Sequence, residues 1–98
     1  MSADRDRLVE ALRQLKPTVL ERYRVRGLAL FGSVARDAHT AGSDVDILAD
    51  FDDTADLFDM VGMAEFLGDE LARKVDVVPR RSLRPELRDQ VLSELVEL

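Results

Sequence analysis

The sequence predicts a small α/β fold, with a mixed three-stranded sheet packed by helices mainly on one face. Three observations lead there. Short apolar segments with strand character occur at 26–31, 44–51 and 74–78. Segments with apolar residues at helical spacing flank and separate them. The link between the first two strands is short, whereas an 18-residue helical segment, 55–72, joins the second to the third.

Size and composition bound the rest. With 98 residues, the chain reads as one domain over 1–98, near the lower limit for a core without staples. Apolar residues make up 46% and charged residues 35%, the balance of a water-soluble globular chain. Cysteine is absent, which excludes disulfide and thiolate chemistry and suits a cytoplasmic location. The longest apolar run is LALF at 28–31, far too short to span a membrane. No secretory signal is visible at the charged start MSADRDRLVE. A net charge of −6 argues against direct nucleic-acid binding, which depends on Lys and Arg to neutralise phosphates. The charge is uneven: Asp50, Asp52, Asp53, Asp56 and Asp59 form an acidic run, and Arg80, Arg81, Arg84 and Arg88 a basic one. Both read as solvated surface.

Residues 4–15 form a first helix with Leu8, Leu12 and Leu15 on one stripe. Pro17 is expected to end it and to open a second short helix carrying Val19, Leu20 and Tyr23. The segment RGLALF at 26–31 suits a buried strand. Ser33 to about Asp37 starts a short helix, followed by a loop at 39–43 that turns at Gly42. Along 44–51 the residues alternate, with Val45, Ile47, Ala49 and Phe51 on one face and Asp44, Asp46, Leu48 and Asp50 on the other. The helix over 55–72 is expected to bury Leu57, Met60, Val61, Ala64, Leu67 and Leu71. Phe66 then falls among its charged residues, as a candidate interface aromatic. Strand 74–78 stops at Pro79, and Pro85 opens a last helix to about Glu97, with Leu87, Val91 and Leu95 inward.

The chemistry lies between residues 32 and 76. Gly32-Ser33 leaves the first strand in a turn that offers backbone N–H groups to a phosphate. Asp44 and Asp46 point the same way, because a strand repeats its side-chain direction every two residues. Two such carboxylates suit Mg²⁺, which takes one or two carboxylates with phosphate oxygens and water. Asp76 interrupts the valines at 75, 77 and 78. It serves either as a ligand for a second metal or as a base for an attacking hydroxyl. Taken singly, Asp44 fits a turn cap, and Asp76 fits an ion pair with Lys74 or Arg73. Asp46, inside an apolar strand, needs a partner. For the Gly-Ser turn and the acidic pair to meet, the first two strands must run antiparallel. A right-handed helical crossover then leaves the third strand parallel to the second, with Asp76 level with Asp44 and Asp46 and the uncovered sheet face free for the site. His39 reads as an exposed loop residue and Tyr23 as core-edge packing.

Gly-Ser, ten residues, Asp-x-Asp and a later Asp in an apolar strand together resemble the DNA polymerase beta nucleotidyltransferase superfamily. The short length and leading helices are similar to its minimal nucleotidyltransferase (MNT) branch, and the resemblance covers roughly 5–96. It implies the nucleotidyltransferase fold. Gly32 and Ser33 are then expected to hold the β- and γ-phosphates of ATP, with Arg36 and Ser43 beside the nucleotide. It assigns Asp44 and Asp46 to two Mg²⁺ ions and Asp76 to the third-carboxylate role. The family commonly has Gly after the Arg, where this chain has Asp37.

No acceptor site is legible, so the acceptor must come from another chain. MNT proteins of this size resemble antitoxins that move AMP from ATP onto a tyrosine of a HEPN-domain ribonuclease toxin. That activity, and a hetero-oligomer with the toxin, are what the resemblance implies. The alternatives are an antitoxin that neutralises its partner by binding alone and a transferase for a small hydroxylated molecule.

Overall fold

The structure is a computed structural model and describes residues 3–38 and 42–98. His39 lies outside the described residues. Four helices and four strands follow in the order α1 (Ala3–Arg22), β1 (Val25–Phe31), α2 (Gly32–Ala35), β2 (Val45–Phe51), α3 (Leu57–Leu71), β3 (Val75–Pro79), α4 (Pro85–Glu94) and β4 (Val96–Glu97). A 3₁₀ turn at Arg80–Ser82 links β3 to α4. The sheet order is β3-β2-β1-β4. As the sequence predicts, β1 and β2 are antiparallel and β2 and β3 parallel. Three strands were expected, and the described residues contain four. The last residues leave the helix and pair antiparallel with β1, Ala29 opposite Glu97 and Leu30 opposite Val96.

The main core lies on the face formed by Val45, Ile47, Ala49 and Phe51 of β2, covered by Leu8, Leu12 and Val19 of α1 and Met63 and Leu67 of α3. The opposite face is not left open along its whole length, as the sequence reading had it. Ala29, Leu48 and Leu83 form a second small cluster there, with Phe31, Val78, Val91 and Leu95 packed against it. The helices therefore lie mainly, but not wholly, on one face. Of the residues expected inward on α4, Val91 and Leu95 pack on this cluster, while Leu87 is exposed.

Pro17 does not end the first helix; α1 runs through it. A proline in a helix interior costs ~3 kcal/mol, from a lost hydrogen bond and a ring clash. Leu8, Leu12, Leu15, Val19 and Tyr23 nevertheless keep helical phase across it, and Val19 is fully buried. A fully buried Val contributes ~1.5–3 kcal/mol, and the partly buried Leu20 and Tyr23 add to this. Packing thus offsets the local penalty.

The longer α1 changes the reading of Phe66. Its ring lies 5.9 Å from that of Tyr23, and the Arg22 guanidinium sits 5.1 Å from the Phe66 centroid and 5.2 Å from that of Tyr23. Phe66 is half-buried against the core and does not stand free among the charged residues of α3. Gly62 makes room for this contact, since a Cβ there would stand 3.0 Å from Tyr23 Cε1. The buried stripe of α3 is accordingly rotated toward Met63 and Phe66, leaving Leu57 and Val61 exposed. Asp56 and Asp59 close the start of α3 in a reciprocal capping box.

Candidate active site

Strand register assembles the site. Phe31 lies opposite Asp46, and Asp46 lies opposite Asp76. One row of the sheet therefore runs from the last residue of β1, through Asp46, to Asp76. Asp44 sits just ahead of β2, whose first residue is held by Val45 N–H donating to the Lys74 carbonyl at 2.9 Å. Asp46 and Asp76 share the face of Leu48 and Val78, away from the α1 and α3 core.

The Gly-Ser turn meets this row directly. Gly32 has φ +76°, in the left-handed region, and opens α2. A Cβ at Gly32 would collide with the Asp46 carboxylate and stand 3.0 Å from its Cγ. Glycine is thus required both by the backbone angle and by the side chain lying on it. No side chain caps the start of α2. The turn closes tightly through Arg36 N–H to the Gly32 carbonyl at 3.1 Å and Ala38 N–H to the Ser33 carbonyl at 2.9 Å. Asp37, where the family commonly has glycine, has φ +59°. Aspartate is among the residues that best tolerate this region. The glycine-like backbone conformation is kept without the glycine.

Electrostatics mark the same place. Burial pushes the Asp46 carboxyl above the ordinary aspartate range; the charges of Asp76 and then Asp44 push it further, against the lowering effect of Arg36. Lys74 Nζ lies 3.6 Å from Asp44 and 4.0 Å from Asp76. One ammonium thus bridges the two outer carboxylates, all three groups being well exposed. Among the described residues, no three acidic or histidine side chains converge into a ready-made metal cage. An oxygen-only donor set that raises one of its own pKa values and draws in a lysine fits a hard divalent cation.

Two residues of the site enter the sequence reading only as ion-pair partners for Asp76. Arg73 points elsewhere: its Nη1 donates to both Asp4 oxygens, at 3.2 and 3.0 Å, and its Nη2 donates to the Ser43 carbonyl at 2.9 Å. It fixes the residue before Asp44 to α1. Lys74 is the other: it pairs with Asp76, as the sequence reading allows, and in addition reaches Asp44. Arg36 reaches Glu94 on α4 at 3.1 Å, tying the turn to the helix across the open face. Ser43 enters through its carbonyl, and Ser33 follows Gly32 within α2.

A mixed sheet with a Gly-Ser turn at one strand end and carboxylates on the two neighbouring strands places this protein among the α/β enzymes that act on nucleotide phosphates. The chain belongs to the nucleotidyltransferase-domain family, whose sequence profile matches residues 12–98. It is 37% identical over 81 residues to the protein adenylyltransferase MntA of Thermococcus cleftensis, covering 83% of this chain and 82% of that one. It superposes with TM-score 0.76 and 36% identity on a structure provisionally described as a minimal nucleotidyltransferase, covering 91% and 94% of the two chains. A toxin–antitoxin structure with AMP-PNP matches at TM-score 0.66 and 27% identity, covering 95% of this chain and 70% of that one. An MNT antitoxin in complex with a tri-AMPylated HEPN toxin from Shewanella oneidensis matches at 0.58 and 26%, covering 96% and 67%. Among the described residues no helix is long and apolar enough to cross a membrane.

Proposed function

We propose that this chain is an Mg²⁺-dependent protein adenylyltransferase that transfers AMP from ATP to a tyrosine of a HEPN ribonuclease toxin, and so acts as its antitoxin in the cytoplasm. The observation that carries the reading is the row Phe31–Asp46–Asp76, which sets a Gly-Ser turn against one carboxylate and a second carboxylate on the next strand. The adenylyltransferase name of the Thermococcus relative and the AMPylated toxin in the Shewanella complex support the chemistry and the partner. The AMP-PNP in another toxin–antitoxin relative supports ATP as donor.

In this reading Gly32 and Ser33 receive the β- and γ-phosphates through backbone N–H groups and the serine hydroxyl. Asp44 and Asp46 would hold Mg²⁺, with Asp76 completing the set, and the bound ion would supply charge neutralisation at the reacting phosphate. The acceptor hydroxyl attacks the α-phosphorus in line. Its O–P bond forms as the bond from the α-phosphorus to the bridging oxygen breaks, and pyrophosphate leaves. The hydroxyl proton passes to a carboxylate, the candidate being Asp76. Arg73 keeps Asp44 in place by holding the Ser43 carbonyl, and Ser43 borders the nucleotide from that position. Arg36 stands beside the phosphates, with its guanidinium oriented by Glu94.

The test uses the purified chain with its partner toxin, Mg²⁺ and ATP labelled at the α-phosphate, beside an Asp44→Asn/Asp46→Asn variant. Label should appear on a toxin tyrosine and fall at least ~100-fold in the variant, the scale of losing electrostatic stabilisation of a transition state. If the toxin is neutralised equally by both proteins without label, the antitoxin acts by binding and the transfer reading is wrong.

A further inference from the structure

The exposed large apolar side chains among the described residues fall into two groups. Leu57, Phe58 and Val61 lie on the first turns of α3, with Phe58 86% and Leu57 65% exposed. Leu87 and Leu92 lie on α4, a helix in which no residue is buried. The surroundings of the two groups have opposite charge. Residues 50–59 contain five aspartates and no basic residue, whereas residues 80–88 contain four arginines against Glu86. Arg80 pairs with Glu97 at 3.2 Å. Among the described residues, Arg81, Arg84 and Arg88 have no ion-pair partner.

Leu57 of the first group and Leu92 of the second line adjoining clefts. A cleft of about 230 Å³ has Leu57, Met60, Pro79 and Arg81 in its walls. A neighbouring one of about 360 Å³ has Arg81, Leu83, Arg88 and Leu92. Arg81 belongs to both, so one surface runs from the acidic, apolar start of α3 to the arginines of the 3₁₀ turn and of the start of α4 (Arg81, Arg84, Arg88), with Leu92 beyond them. It lies at the end of the sheet where β2 and β3 finish.

We propose that this surface is a two-fold interface between two copies of this chain. Across a two-fold axis, the α3 patch of each copy meets the α4 patch of the other, and the pairing is satisfied twice. Charge complementarity is the argument for a second copy as the occupant. A surface that carries an acidic half and a basic half side by side is complementary to itself when inverted. Apolar side chains at the centre with charges around them match the anatomy of protein interfaces. Along β2, Phe51 at this end is five residues from Asp46 and seven from Asp44, about 17 and about 23 Å at strand rise. Dimerisation therefore leaves both candidate active sites facing outward. The inference is independent of the transfer reading and stands or falls separately from it.

Sedimentation velocity of the full chain tests it over about 1–200 µM. The expected result is a dimer whose dissociation constant rises at least tenfold for Phe58→Asp, and likewise for Arg84→Glu/Arg88→Glu and for Asp53→Arg. All of these residues are exposed in the monomer, so far-UV circular dichroism should be unchanged. Mixing Asp53→Arg with Arg84→Glu/Arg88→Glu should restore dimers, because the mixed pair regains opposite charges at both contacts. A wild-type chain that stays monomeric throughout overturns the proposal. So does a dimer indifferent to these substitutions, or a mixture that fails to reassociate.

Discussion

Replacing Gly32 with alanine tests the contact at the centre of the site. The φ of +76° places the new Cβ in the left-handed region, at ~1–2 kcal/mol for a residue other than glycine. The same Cβ collides with the Asp46 carboxylate, which must leave its rotamer at ~0.5–1.5 kcal/mol. A more restricted unfolded chain returns about 0.5 kcal/mol. The expected loss is about 2 kcal/mol, or roughly 10 °C in Tm for a domain of this size. Urea denaturation in EDTA, followed by far-UV circular dichroism because the chain has no tryptophan, provides the measurement. Asp46→Ala in the same background separates the two contributions. Once the Asp46 side chain is removed, Gly32→Ala should cost only about 1 kcal/mol, leaving a coupling of about 1 kcal/mol between the positions. An equal cost in both backgrounds would refute the contact. A Gly32→Ala cost below ~0.5 kcal/mol would refute the left-handed turn as well.

Two further outcomes follow from the same physics. Pro17 is exposed in the middle of α1, so Pro17→Ala should stabilise the chain by ~1–2 kcal/mol, through a restored hydrogen bond and better helix propensity; a loss of stability in urea would show that the helix depends on the proline. Asp46 has a folded-state pKa raised by burial, Asp76 and Asp44, so without metal its contribution is full below the ordinary aspartate value of about 3.9 and is lost as pH rises through the raised value. Asp46→Asn should therefore gain stability relative to wild type as pH rises through that window in EDTA, and a constant or shrinking difference would contradict the assignment.

Strand content, strand directions and the level placement of Asp76 were legible because they depend on short-range pattern. Period-two alternation along 44–51 identifies the faces of β2, and the lengths of the connections decide which neighbours run antiparallel. Features that depend on tertiary packing were not legible. A two-residue strand such as β4 has no period to detect; it exists because β1 offers an edge. Pro17 was read by its local rule, although the stripe through Leu12, Leu15 and Val19 kept phase across it. The misplacement of Phe66 followed from that, since the missing end of α1 is what covers it. In the site, the backbone-borne features were visible: a Gly-Ser turn and carboxylates at fixed spacing. The Lys74–Asp76 pair, two residues apart, was legible too, but no spacing rule points from Arg73 to Asp4, 69 residues away, or from Lys74 to Asp44.

The central position of Asp46 has a consequence for cooperativity. Its neighbours in the row come from β1 on one side and β3 on the other, so no hairpin or single βαβ unit contains the whole arrangement. Fraying β3 removes Asp76, and loosening β1 removes the Gly-Ser turn. β3 is an edge strand, so on the proposed reading nucleotide binding should be lost as soon as β3 opens, at or below the denaturant midpoint of the whole domain. A site of this kind has no partially competent form: it is complete in the folded chain and lost when either ladder opens.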